Sequence, residues 1–163
     1  MKALKTLAIA VFATTVIAAC TTSAIKPAQA IQQGAQTSKT HSVASRYTFD
    51  ETVNRLQSAV KEKGMNVFAV IDHQAAAKES GLDMQPAKVI VFGTPKAGTP
   101  LMVKDPEFAL QLPLRVLVTE ADGHVKVVFN DTRALIADSK IDYAEVENTL
   151  ANAEKLIRKV VME

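Results

Sequence analysis

Apolar positions along the chain repeat with two different periods, and the switches between them lay out the elements. Phe49, Val53, Leu56 and Val60 follow at steps of four, three and four, the spacing of one helical face. Thr48-Phe49-Asp50-Glu51 ahead of them reads as a capping box, with the Thr48 hydroxyl on one orphan amide and Glu51 reaching back. Gly64 stops this helix. Residues 65–71 are apolar on both faces of an extended chain, which predicts a buried strand. Asp72 then caps a short helix over residues 73–79, ended by Gly81. Residues 87–92 form a second apolar strand rich in Val and Ile. Residues 93–98 read as a loop, Thr99-Pro100 as the start of a short helix, and Asp105-Pro106 as the same signal again. Strands at 114–120 and 125–130 flank Asp122-Gly123, a good hairpin turn. The stretch after Asp131 is irregular or briefly helical. One long helix is expected from about Asp142, with Tyr143, Val146, Leu150, Ala153, Ile157 and Val160 on its stripe. It holds too few heptads for a coiled coil.

Upstream, the pattern has another meaning. Met1-Lys2-Ala3-Leu4-Lys5 is a short positive segment, and residues 6–19 are apolar and uncharged. That length suits a signal peptide and is too short to span a bilayer comfortably. It closes on Ile17-Ala18-Ala19-Cys20, which resembles a bacterial lipobox: lipid joins Cys20 and the chain is cut before it. Ala28-Gln29-Ala30 is a competing cleavage sequence for an ordinary secretory signal. Residues 20–42 then read as the lipidated cysteine and a flexible tether, reaching on the order of 25 Å. Residues 42–47 alternate weakly and suit a first strand. The expected organisation is a signal at 1–19, a tether at 20–42 and one domain at 43–163.

Composition narrows the chemistry. The formal charge of +2 comes from 19 basic and 17 acidic residues. Lys2 and Lys5 leave with the signal, so the mature chain is balanced and gives no case for nucleic acid binding. The single Cys is consumed by lipid, which removes disulfides and thiol nucleophiles. There is no Trp, so a stacking platform for sugars or bases is not expected.

Phe49-Asp50-Glu51-Thr52, Lys63-Gly64, Ile71-Asp72-His73, Ala77 and Gly81 stand in order along the chain. Val91-Phe92-Gly93-Thr94-Pro95, Gly98-Thr99-Pro100-Leu101-Met102, Asp105-Pro106, Leu112-Pro113-Leu114 and Asn130 continue the series. Through these residues, about 43–131, the chain resembles the domain-of-unknown-function 302 family. The resemblance implies a single α+β domain: a curved, mostly antiparallel sheet with helices packed on one side. That arrangement is similar to one repeat of the TATA-box-binding protein, a likeness of fold that implies nothing about DNA. Phe129 departs from the family pattern, in which a Tyr often stands.

Asp72-His73 is the leading candidate site, since a histidine at a strand end can titrate, ligate or move a proton. The plainer reading is that Asp72 caps a helix and His73 meets a local carbonyl. Gly93, Gly98 and Thr99 superficially suggest a phosphate loop, but no Lys follows the second glycine. A turn shaped by Pro and Gly explains them equally, with free amides still able to hold a small anion. Asn130 completes the candidate set. His41 falls in the tether and His124 in a turn, and no His-x-x-x-His spacing occurs, so no metal or cofactor is expected. No serine elbow marks a nucleophile.

These readings converge on a cell-envelope lipoprotein, held to a membrane by lipid, on the outer membrane facing the periplasm where the host has two. The expected function is non-enzymatic binding of a small ligand or an envelope protein, through a cleft near His73 and the 93–99 segment. The alternatives are a homodimeric scaffold and an enzyme using His73 as acid or base.

Overall fold

The computed structural model describes residues 39–163. The signal segment, Cys20 and nearly all of the tether lie outside the described residues. Among those described, five strands form one antiparallel sheet: β1 (Thr40–Ala44), β2 (Asn66–Asp72), β3 (Ala87–Gly93), β4 (Leu114–Ala121) and β5 (His124–Asn130). Their order is β1-β5-β4-β3-β2. The helices are α1 (Phe49–Glu62), α2 (His73–Glu79), α3 (Pro95–Lys104), α4 (Thr132–Ile136), α5 (Tyr143–Val146) and α6 (Leu150–Met162), with a 3₁₀ turn at Pro106–Gln111. This is the expected single α+β domain, an antiparallel sheet with helices on one side.

The main core forms where α1 and α6 cover one sheet face. Val53, Leu56 and Val60 of α1 meet Ile90, Phe92, Val116, Val118, Val127 and Phe129 of the sheet. Ala153, Ile157 and Val161 of α6 complete it. Each fully buried Leu, Ile or Phe contributes about 1.5–3 kcal/mol of transfer free energy. The capping box of α1 forms by half. The Thr48 hydroxyl accepts the Glu51 amide at 3.4 Å, while the Glu51 carboxylate accepts Arg55 Nε at 2.9 Å. Gly64, at φ +70°, ends the helix in a conformation that other residues adopt at a cost. Asp122 and Gly123 both have positive φ, as the tight β4–β5 hairpin requires.

Four expectations change. The first strand begins at Thr40, inside the predicted tether, because residues 40–44 pair with β5. His41 is therefore a sheet residue. The strand predicted to be buried is the sheet edge, and Phe68, Val70 and Ile71 of β2 are exposed. Its register slips between Val67 and Ala69, and such a bulged edge is a poor template for a further strand. Residues 95–98, read as loop, are helical. Thr-Pro occurs twice, and the first copy, Thr94-Pro95, starts α3, leaving Pro100 inside it. The single long C-terminal helix is two, because the chain turns at residues 147–149, where Thr149 has φ −124° and ψ −85°. That break resets the stripe, so that Val161 is fully buried and Val160 only packs against the core.

The break serves a second, smaller core of Leu101, Phe108, Leu135, Ile136, Ile141, Val146 and Leu150. Asp105 ties this region together. Its buried carboxylate accepts the Glu107 amide at 3.2 Å through Oδ1 and the Lys140 amide at 3.0 Å through Oδ2. Asn in its place offers only one accepting oxygen and leaves one part-buried amide without its partner. Asp105→Asn is expected to cost about 1–3 kcal/mol, read as a lower urea midpoint with an unchanged slope. An unchanged midpoint would contradict this role.

Candidate functional site

Between α3 and α6, where β2, β3 and β4 end, lies a cavity of about 920 Å³. Its floor is Met65 just ahead of β2, Phe68 of β2, Gly93 of β3 and Leu114 of β4. The bulge in β2 turns Phe68 out of the regular pleat and into this space. A Cβ on Gly93 would stand 3.8 Å from the Phe68 ring, so the missing side chain leaves room above the strand. Gly98 plays another part. A Cβ there would lie 3.2 Å from Leu112 Cδ1, so its absence lets α3 close against residue 112. The opposite wall is α6, through Ala153 and Leu156.

The electrostatics of the groove are one-sided. Lys63, Lys155 and Lys159 stand among its lining residues, and among the described residues no acidic side chain, histidine or cysteine lines it. Lys155 Nζ is 3.5 Å from Asn152 Oδ1, and Lys159 pairs with exposed Glu163 at 3.6 Å. Contacts this long and exposed leave both ammonium groups able to exchange partners. The α3 wall is held at its far end by Lys104, whose Nζ lies 2.6 Å from Glu145 Oε2. That hydrogen bond holds the Glu145 carboxyl below its ordinary range, helped by the Asp142 amide, and raises Lys104.

The predicted site residues fall in three places. Gly93, Gly98 and Thr99 line the groove. Asp72 and His73 do not. In the β2–β3 register Asn66 faces Gly93 while Asp72 faces Lys88, so His73 and the 93–99 segment occupy opposite ends of the pair. At 3.3 Å per residue the separation is roughly 17 Å. The expected shared cleft is therefore absent, and His73 is exposed at the start of α2. The helix itself also engages the amides proposed for an anion, since those of Ala97 and Gly98 both donate to the Thr94 carbonyl at 3.1 Å. Asn130 lines a separate cavity of about 20 Å³ beside Thr132 and Glu154.

Beside that small cavity stand three residues that sequence reasoning missed as a group: His41, Asp131 and Glu154. They come from β1, the cap of α4 and the middle of α6, so no local spacing links them. The available signal was the alternation of His41 with Val43, which marks the inward face of β1.

In the structure Asp72 caps α2. Its Oδ1 accepts the Ala75 amide at 2.9 Å, and Lys88 Nζ lies 3.4 Å from Oδ2. The Ala75 hydrogen bond, more than Lys88, holds its carboxyl below the ordinary aspartate range. A carboxyl lowered by folding contributes stability above its unfolded pKa and loses it as pH falls through the folded value. Exchange protection of the Ala75 to Ala77 amides is therefore expected to fade as the solution is acidified below about pH 4. Asp72→Asn should keep the cap and flatten that dependence, and equal pH profiles for the two proteins would refute the assignment.

A family model, Domain of unknown function DUF302, matches residues 41–161, reaching through α6. Two similar proteins are named fluoride-specific ion channel FluC 1, from Brucella suis biovar 1 and Brucella abortus biovar 1. Each is 43% identical over 90 residues, 55% of this chain. The match covers 35% and 33% of those proteins, so the chain spans about a third of the length of the curated relatives it matches. No helix of the described residues is long and apolar enough to cross a membrane. A crystal structure of the uncharacterized conserved protein DUF302 from Bacillus stearothermophilus aligns with a TM-score of 0.65 and 20% identity. It covers 76% of this chain and 96% of that one, a likeness of fold.

Proposed function

The chain belongs to the DUF302 family, and on that premise we propose that its domain binds an amphipathic anion, an apolar chain with an acidic head, in the α3–α6 groove. The observation that carries this reading is the lining: among the described residues, mostly apolar side chains with three lysines and no acidic residue. An apolar chain along Phe68, Met65 and Leu156 gains about 0.8 kcal/mol per buried methylene. The head would sit at Lys63 and Lys155. A concave apolar site with a few polar groups of one sign is the usual form of a small-molecule site. The reading is of a binding module, since His73 is remote from the groove.

Saturated fatty acids of rising length, kept below their micelle concentrations, test this by calorimetry. Affinity is expected to rise about fourfold per methylene until the groove is full. Leu156 is half-buried and belongs to neither core, so Leu156→Glu should weaken binding at least tenfold while the melting temperature holds. His73→Ala should leave affinity unchanged. Affinity independent of chain length would defeat the proposal.

The site of action in this reading is the cell envelope, at a lipid surface, with Cys20 lipidated, the chain then cut between Ala19 and Cys20, and the outer membrane as address in a two-membrane host. The support is Ile17-Ala18-Ala19-Cys20 closing an uncharged apolar stretch. Relatives named as ion channels fit a domain that works beside a membrane. Labelled fatty acid should incorporate into the wild-type protein in cells, while Cys20→Ala should lose the label and leave the membrane pellet. A label retained in Cys20→Ala would end the lipidation proposal.

A further inference from the structure

We propose that His41, Asp131 and Glu154 hold a divalent first-row metal ion at the β1 edge of the sheet. His41 Nε2 lies 2.8 Å from Asp131 Oδ2 and 2.8 Å from Glu154 Oε1. Despite those distances the nitrogen is buried and makes no hydrogen bond, since neither oxygen lies along its N–H direction. A ring nitrogen has one in-plane position, a proton or a lone pair, and cannot serve two acceptors off that axis. A cation between the three atoms satisfies all of them.

The geometry favours a particular class of ion. Metal–ligand lengths of about 2.0–2.2 Å at right angles give ligand-to-ligand edges of roughly 3 Å. The two 2.8 Å edges at Nε2 match carboxylate oxygens placed cis to the imidazole around such an ion. One imidazole and two carboxylates suit Mn²⁺, Fe²⁺ or Zn²⁺ better than the all-oxygen preference of Ca²⁺ or Mg²⁺. The three side chains are 18–28% exposed, so solvent reaches the site. The neighbouring cavity of about 20 Å³ has room for one water-sized ligand.

The carboxylates are already oriented. Asp131 Oδ1 accepts the Ala134 amide at 2.8 Å. Glu154 Oε2 accepts the Thr132 hydroxyl at 3.0 Å and its amide at 3.3 Å. Each carboxylate thus has one oxygen fixed by the first turn of α4 and turns the other toward Nε2. Outer partners of this kind aim ligands at a metal. Arg158 lies 3.5 Å from Glu154 Oε1 and 5.2 Å above the Phe129 ring. It offsets one carboxylate charge and leaves the cluster net negative while His41 is neutral. This departs from the sequence expectation of no metal, which rested on His41 being part of a tether.

The test uses the full chain stripped with a chelator, titrated with Mn²⁺ and with Zn²⁺ alone by calorimetry, and with Mn²⁺ by electron paramagnetic resonance. The expected result is one ion per chain with a dissociation constant in the micromolar range or below, a raised melting temperature and much weaker Ca²⁺ binding. His41→Gln, Asp131→Asn and Glu154→Gln should each weaken binding at least tenfold. Asp131→Asn keeps the α4 cap, so at least that variant should melt close to the metal-free wild type. Leu156→Glu, in the groove, should bind the ion as wild type does. Absence of one-to-one binding by both ions, or binding that survives all three substitutions, overturns the proposal and leaves a metal-free ion pair around His41.

Discussion

The structure depends on α6 lying across the inner sheet face with Ala153, Ile157 and Val161 buried beneath it. Residues on a helix advance about 100° each, so fixing one stripe fixes every other face. Glu154 is turned toward His41 and the β1 edge. Lys155, Leu156 and Lys159 are turned toward the groove. Both candidate sites are therefore set by the same packing contact. Loss of that contact removes core burial and misdirects the side chains of both sites together.

The turn at residues 147–149 makes this possible. An unbroken helix from Asp142 would carry Val146 and Leu150 along one axis with Ile157. The break lets Val146 and Leu150 join Leu101 and Phe108 in the second core, while Ala153 onward serves the first. Leu114 packs against both. The groove is the space left where these two cores diverge, bounded by Leu114 below and the α5–α6 junction beside it. Asp105 and the Lys104–Glu145 pair keep the divergence fixed by linking the end of α3 to α5 and to the segment ahead of it.

Much of the fold was legible from period and punctuation, because those signals are local. The face of α1, the stop at Gly64, the Asp72 cap and the Asp-Gly hairpin needed only neighbours within a few residues. The failures share a cause. An apolar run such as residues 65–71 does not reveal how many strands flank it, so an edge strand read as a buried one. Two Thr-Pro pairs compete for one helix start, and local rules do not rank them. The site was less legible than the fold. Gly93, Gly98 and Thr99 were found as turn signals, while Phe68, Leu156 and the lysines joined them only through tertiary packing. His41, Asp131 and Glu154 carry no spacing signature, since β1, α4 and α6 meet only after the sheet closes its order.

Two sites on one helix raise the question of whether they communicate. Coupling requires an element with two arrangements that both ligands bias. Through Ala153, Ile157 and Val161, α6 is locked to the sheet, and rotating it would open gaps against Phe92, Val127 and Phe129. Gaps of that size cost several kcal/mol, more than typical coupling energies of about 1–3 kcal/mol. A ligand that gained its affinity by turning α6 would have to supply that cost from its own binding. The packing therefore argues that the two proposed sites, for an ion between the β1 edge and α6 and for an amphiphile on the opposite flank, are independent of one another.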